Sequence, residues 1–398
     1  MAEQFLHGIK TEERTDGRRP TRTAQSATIG IVGTAPNADN TLWPMNEPIH
    51  IQTAVEAAGI GDTGTLPNQL DGLFDQRNGL DVVVVRVAEG ADIDATLANV
   101  VGNAAAQTGV HALKGAKAHL DIIPRLLTFP GFTSQRPGDA ANPVVSEAIS
   151  LAESMRAMVF ADGPNTTRDA AVGYRQDFGS SRLFITDPHV KVFRSGANVI
   201  EPVSGRVAGL TAKTDHEHGF WHSPSSKVIN GIVGTARPIS FYLNDPATEA
   251  NYLNEREVAT VIRDDGFRLF GNRTASADPQ WAFMPVRRTA DLIYDSVENA
   301  ARWALDKPFS VQLLEDIGGQ VNDYLRYLKA RGAILGGQAW LEPALNPPSI
   351  LKQGKAFVSF DIEPPAPLEQ LRFVAYRNDG YYTELVEEAA REIVRRAA

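Results

Sequence analysis

A mixed α/β fold is what this sequence predicts, with a central α/β domain, a smaller α+β domain after it and an extended arm at each end. Three observations predict it. Residues 81–87 read DVVVVRV, a β-branched run apolar on both faces, which needs a sheet covered by helices on both sides. Strand-like runs at 125–129, 157–161 and 183–186 alternate with helical patterns at 93–106, 144–156 and 168–178, the rhythm of a three-layer domain. The two ends break this rhythm, because residues 5–27 turn polar after a short apolar start and residues 364–369 read PPAPLE, which holds a chain extended.

The remaining elements follow from local patterns. Residues 28–34, TIGIVGT, read as a buried strand, 51–60 as a short helix, 61–66 as the glycine-rich loop after it, and Leu70, Leu73 and Phe74 as an apolar helix face. Further on, 228–235 reads as a strand and 250–257 as a helix. In 261–289 the turn Asp264-Asp265-Gly266 runs into a half-buried strand, a second strand is expected at 281–286, and a helix at 290–305 stops before Lys307-Pro308. Ser310 is the expected N-cap of the next helix, where Leu314, Ile317, Val321, Tyr324, Leu325 and Leu328 recur at helical spacing until Gly332. Strands are expected at 334–341, 355–362 and 371–376, and an amphipathic helix at 381–396 with glutamates early and arginines late, an order that suits the helix dipole.

Composition excludes several classes. At 398 residues the chain exceeds what one core organises, so two domains with arms are expected: an arm at 1–27, the larger domain at 28–275, the smaller at 276–363, and a terminal arm and helix at 364–398. A net charge of −9 argues against broad nucleic-acid binding, which needs clustered Lys and Arg. No run approaches the roughly 20 apolar residues that cross a bilayer, and residues 1–19 lack the apolar core of a signal peptide, so neither membrane insertion nor export by that route is expected. Cysteine is absent, which removes disulfides, thiolate nucleophiles and cysteine-ligated zinc together.

Three stretches invite chemistry, and each has a plainer reading. GIVGT occurs at 30–34 and again at 231–235, yet neither copy has G-x-G-x-x-G spacing or a Gly-Lys-Ser/Thr, so strand ends with glycine turns explain it and no nucleotide cofactor is expected. Asp162, His189 and several serines permit a hydrolase hypothesis on strand-terminal loops, but no serine sits in a G-x-S-x-G elbow. Residues 215–222, DHEHGFWH, would place His216 and His218 on one strand face beside Asp215 and His222 as metal ligands, at a spacing that matches no zinc signature. A polar turn ahead of the anchoring pair Phe220-Trp221 accounts for it more simply.

Longer phrases carry more information than these motifs. RDDGFRLFGNRT at 263–274, WAF at 281–283, Arg288-Thr289 followed by Asp291-Leu292-Ile293 and Asp295, and WALDKP at 303–308 stand in one order with Met155-Arg156-Ala157-Met158 and ADGPNTT, GFWHSPSSKVINGIVGTARP and PPAPLEQLRF. In this arrangement, over nearly the whole chain, the sequence resembles the contractile tail sheath proteins of P2-like phages and R-type bacteriocins. The resemblance implies a non-enzymatic structural protein that needs no cofactor or metal. It would polymerise as a helix of itself, in stacked six-fold rings around a tail tube protein, between a baseplate and a tail terminator. It also implies that a small sheet in the C-terminal domain is completed by strands from neighbouring copies. The donated strands would come from Phe5, Leu6, His7, Gly8 and Ile9 and from Leu371, Phe373 and Val374. The acceptors would be the strand holding Phe357, Val358 and Phe360 and a strand at 334–341. The basic end of the penultimate helix, Arg326, Lys329 and Arg331, is the candidate tube-facing surface. Rival readings are an α/β hydrolase or metal-dependent enzyme and a non-contractile cytoplasmic oligomer built on the same domain.

Overall fold

The structure, a computed structural model, describes residues 21–397 and falls into two compact units, one ending at Pro367 and the other Leu368–Ala398. The first is organised by a six-stranded sheet of β1 (Ile29–Thr34), β2 (Pro48–Ile51), β3 (Val82–Val87), β4 (Leu126–Thr128), β5 (Met158–Asp162) and β6 (Leu183–Thr186), in the order β2-β3-β1-β4-β5-β6. All neighbours are parallel except β2, which runs antiparallel along the β3 edge. The period of two along each strand divides the core. Ile29, Ile31, Val82, Val84, Phe160 and Phe184 meet α1 (Leu66–Phe74) and, on the same side, α6 (Ser204–Glu217). Val32, Val83, Val85, Leu127, Val159 and Ile185 meet α2 (Ile93–Val101), α3 (Ala112–Leu120), α4 (Pro143–Met155) and α5 (Arg168–Gln176). The all-valine run of β3 is buried along its whole length, as strands covered on both faces must be.

Around this sheet lie smaller pieces. The hairpin β7 (Val190–Arg194) and β8 (Ala197–Glu201) takes β9 (Gly234–Thr235) on its β7 side. α6 (Ser204–Glu217) packs under the main sheet, α7 (Glu249–Glu255) follows, and β10 (Thr260–Arg263) pairs with β11 (Phe267–Phe270) across the predicted Asp-Asp-Gly turn. Then come α8 (Met284–Ala301), α9 (Val311–Ala330), β12 (Gly336–Leu341), the short α10 (Pro348–Leu351) and β13 (Val358–Glu363). The second unit holds α11 (Gly380–Ala397). No helix among the described residues is long and apolar enough to cross a membrane.

Helix α8 is fastened to the main sheet by charge. Arg182, at the start of β6, donates to Asp291 at 3.0 Å and to Glu153 at 2.8 Å, and Arg288 donates to Asp215 at 3.1 Å. Burial pulls the Arg182 guanidinium down, but its hydrogen bonds with Asp291 and Glu153 outweigh that and hold it above its ordinary value.

Several expectations are corrected. Residues 51–60 are not a helix: Gly59 and Gly61 have φ of +80° and +81°, and the segment closes by tight turns such as Glu56 N–H to Thr53 C=O. The strand expected at 281–286 is instead a 3-10 turn, Pro279–Trp281, and the first turn of α8, where Pro285 is at home because its missing N–H would have no helical partner. Of the strand expected at 228–235 only β9 forms, because Asn230 is held in a loop by Gln76, its N–H donating to Oε1 at 2.9 Å and its C=O accepting from Nε2 at 3.1 Å. The strand expected at 371–376 is absent from the single chain, since an extended segment with no ladder partner among the described residues is not a strand.

Candidate assembly interface

The region after Phe283 has its own small core. Ser310 caps α9, its Oγ accepting from the Leu313 N–H at 3.0 Å, and the stripe Val321, Tyr324, Leu325 and Leu328 packs with Leu292 and Ile293 of α8 and with Phe220. Gly332, at φ +75°, ends the helix and turns the chain back through Ala333 and Ile334 into β12. β12 and β13 pair antiparallel, with Ala339 opposite Phe360 and Gly337 opposite Ile362, and this face lies on the core. The Phe360 ring also meets Tyr294 of α8 edge-on at 6.0 Å.

The two edges of this sheet differ. Ala339 turns both backbone groups away from β13: its N–H donates to Asn322 Oδ1 at 2.7 Å, and its C=O accepts from Asn322 Nδ2 at 3.0 Å. Opposite residues of an antiparallel ladder exchange either both bonds or none. Ala339 and Phe360 therefore exchange none, and the N–H and C=O of Phe360, with those of Val358 and Ile362 two residues either side, face the outer edge of β13. Among the described residues no strand lies beyond that edge. A second amide closes the hairpin: Phe357 N–H donates to Asn346 Oδ1 at 2.8 Å, while Asn346 Nδ2 donates to the C=O of Phe357 and of Glu342, each at 2.9 Å.

Of the predicted exchange residues, Val358 and Phe360 lie on β13, and Phe357 immediately precedes it. Leu371, Phe373 and Val374 belong to the second unit, in a stretch with neither helix nor strand, and are 64%, 86% and 63% exposed. Phe5, Leu6, His7, Gly8 and Ile9 lie outside the described residues. Arg326, Lys329 and Arg331 share the end of α9 but not a common environment. Arg326 is exposed and pairs with Asp323, and Lys329 is exposed. Arg331 lies over the rings of Trp221 at 5.5 Å and Tyr327 at 5.7 Å and lines a cavity of about 290 Å³ with residues 23–28. Sequence reasoning missed Asn322 and Asn346; the one signal for Asn322 was a side chain of low helix propensity inside the apolar stripe of α9.

The stretches that invited chemistry are structural in their visible contacts. Asp162 caps α6 from outside: its Oδ1 accepts from the N–H of Val203 at 2.7 Å and of Ser204 at 2.8 Å, and its Oδ2 from Ser204 Oγ at 2.6 Å. The carboxylate at the C-terminal end of β5, where open α/β sheets bind ligands, is thus engaged by the chain itself. Burial, then the nearby charge of Asp162, pushes the Tyr174 hydroxyl well above its ordinary value. The expected strand through 215–218 is the last turn of α6, and Asp215 is engaged by Arg288. The His218 and His222 rings lie 5.7 Å apart, tilted by 54°, and no group of three metal-donor side chains placed to hold an ion occurs among the described residues. Burial, then the charges of His218 and Lys227, holds His222 below its ordinary value.

Comparison with known proteins decides the family. Residues 101–275 match the model of the phage tail sheath protein central domain, and residues 276–376 match that of the phage tail sheath C-terminal domain. The chain belongs to the phage tail sheath protein family. A prophage major tail sheath protein of Pseudomonas aeruginosa (strain UCBPP-PA14) is 36% identical over 391 residues, covering 97% of this chain and 100% of the relative. The tail sheath protein of Escherichia phage P2 is 32% identical, covering 96% and 98%. Among solved structures, the contracted sheath complex of the extracellular contractile injection system PVC superposes with a TM-score of 0.71 at 17% identity, over 96% of this chain and 100% of that one. The contracted helical sheath of the anti-feeding prophage gives 0.69 at 21%, over 94% and 100%. The mixed α/β fold is therefore the fold of sheath subunits, and the relatives are structural tail proteins.

Proposed function

We propose that this chain is the non-enzymatic subunit of a contractile tail sheath, polymerising around a tail tube in six-fold rings and contracting from a metastable extended lattice to drive the tube through a bacterial envelope. One observation carries the reading: a two-stranded sheet whose outer β13 edge has no partner strand among the described residues occurs in the same chain as a stretch, neither helix nor strand, whose Leu371 and Phe373 are exposed. A donated strand supplies main-chain hydrogen bonds along such an edge and fixes register by its alternating side chains. Each bond is worth about 1 kcal/mol net. One strand is a weak clasp, but an arm from each end of every subunit makes the lattice multivalent.

In this reading residues 1–27 and 364–398 are the exchange arms, 28–275 the outer body and 276–363 the tube-proximal domain. Contacts between bodies break and reform during contraction while the exchanged strands keep subunits tethered. Energy is stored in the lattice during assembly, without nucleotide. Arg326 and Lys329, at the basic end of α9, are candidates to face the tube protein. The baseplate and the terminator bound the polymer, which forms in the bacterial host cytoplasm and ends as part of a virion or bacteriocin tail, without nucleic-acid or membrane contact. The purified full chain is expected to form tubular polymers without tube protein, seen by negative-stain microscopy, and deletion of residues 1–20 is expected to leave a folded protein that forms none. Polymers that persist after that deletion would remove the N-terminal arm from the account.

A further inference from the structure

We infer that Asn322 is an edge guard: in the free subunit its amide closes β12, so that strand donation begins at β13. This rests on the proposed strand exchange and says which edge receives the first strand. The outward-facing residues of β12 are Gly337, Ala339 and Leu341, and those of β13 are Val358, Phe360 and Ile362, by the alternation of the ladder. The middle position of β12 is occupied, donor and acceptor both, by a primary amide that presents the same pair of groups as a peptide bond. The middle position of β13 has no such occupant among the described residues. Asn322 is held on α9 between Val321 and Tyr324, both buried, so its reach to Ala339 is fixed by packing.

Unpaired edges are where sheet proteins associate unintentionally, and a protein that must polymerise on cue carries that liability at a site it cannot simply fill with charge. An amide on a neighbouring helix meets both demands, since it satisfies the edge while the subunit is free and gives way only to a strand that offers the same two bonds. The geometry beyond β13 supports the other half of the inference. Tyr294, half-buried, edge-on to Phe360 and flanked by the guanidinium groups of Arg156 at 5.8 Å and Arg287 at 5.9 Å, lies with the half-buried Val297 against the same core, so the inward side chains of an arriving strand would meet apolar as well as cationic neighbours.

The test uses the full cysteine-free chain. Residue-resolved hydrogen exchange on the free subunit is expected to show the Ala339 amide at least about tenfold slower than the Phe360 amide, and Phe360 protected once polymers form. Asn322→Ala is expected to erase the Ala339 protection and shorten the lag of tube-free polymerisation severalfold, with side-by-side aggregates in place of regular tubes. Equal protection of the two amides in the free wild-type subunit, or wild-type polymerisation kinetics in the folded variant, would overturn the guard. If the variant does not fold, the wild-type exchange contrast decides alone. A wild-type chain that never polymerises would sink the proposed function and leave the exchange contrast to be read by itself.

Discussion

The six-stranded sheet and the two-stranded sheet solve the same physical problem in opposite ways. In the first, every strand between β3 and β5 has a partner on both sides, helices cover both faces, and β2 runs antiparallel along one side of β3. In the second, one face rests on a small core while the outer edge of β13 has no partner strand among the described residues. A sheet that finishes itself makes a rigid body, and a sheet left one strand short makes a joint. The contrast teaches that stability and connectivity are assigned to different parts of the chain, so substitutions in the two sheets should fail in different ways.

The largest effect is expected in the six-stranded sheet. Phe160→Ala removes a buried ring that meets Phe184 at 5.9 Å and should cost about 3–5 kcal/mol, read as a lowered urea midpoint. Asp291→Ala leaves the buried Arg182 without its main partner and should cost about 3 kcal/mol, loosening α8 from the main sheet, again read by denaturation. Asp162→Ala strips the cap from α6 and leaves the N–H groups of Val203 and Ser204 unpaired, for about 1–3 kcal/mol and faster exchange at those two amides. If one of these left stability untouched while abolishing polymers, the division between body and joint would be wrong.

The open sheet should behave in the reverse manner. Deleting residues 368–398 is expected to leave the denaturation midpoint of the remaining body unchanged while polymers disappear by sedimentation and microscopy. The smallest effect is a pH dependence at His222. Because its folded value lies below the ordinary 6.5, the unfolded chain takes up the proton first, and stability falls as pH drops through 6.5. His222→Gln should remove that share, narrowing the gap between midpoints measured at about pH 5 and about pH 7.5.

How much of this was legible in the sequence follows from how each element hides or shows its period. β3 and β6 were plain because Val82–Val85 and Leu183–Ile185 are uninterrupted apolar runs, and α9 was plain because its stripe meets a capping serine. α6 went unread for the opposite reason: buried nearly all round and built from Gly, Ala, Ser and Thr, it shows no amphipathic face, and its last turn passed for a histidine cluster. The β7–β8 hairpin, with its Ser195-Gly196 turn at positive φ, was also missed, and β8 is too exposed to show an apolar alternation. At the candidate interface, β12 and β13 were anticipated, but the difference between their edges was not. It depends on a contact between Asn322 and Ala339, seventeen residues apart, that no local pattern encodes.

The most direct measurement is a near-atomic reconstruction of polymers assembled from the purified full chain. The account predicts a backbone strand from a different copy hydrogen-bonded to Val358, Phe360 and Ile362 along the outer edge of β13. A map in which that edge stays bare, or is covered by the subunit's own residues 1–20 or 368–376, would contradict it.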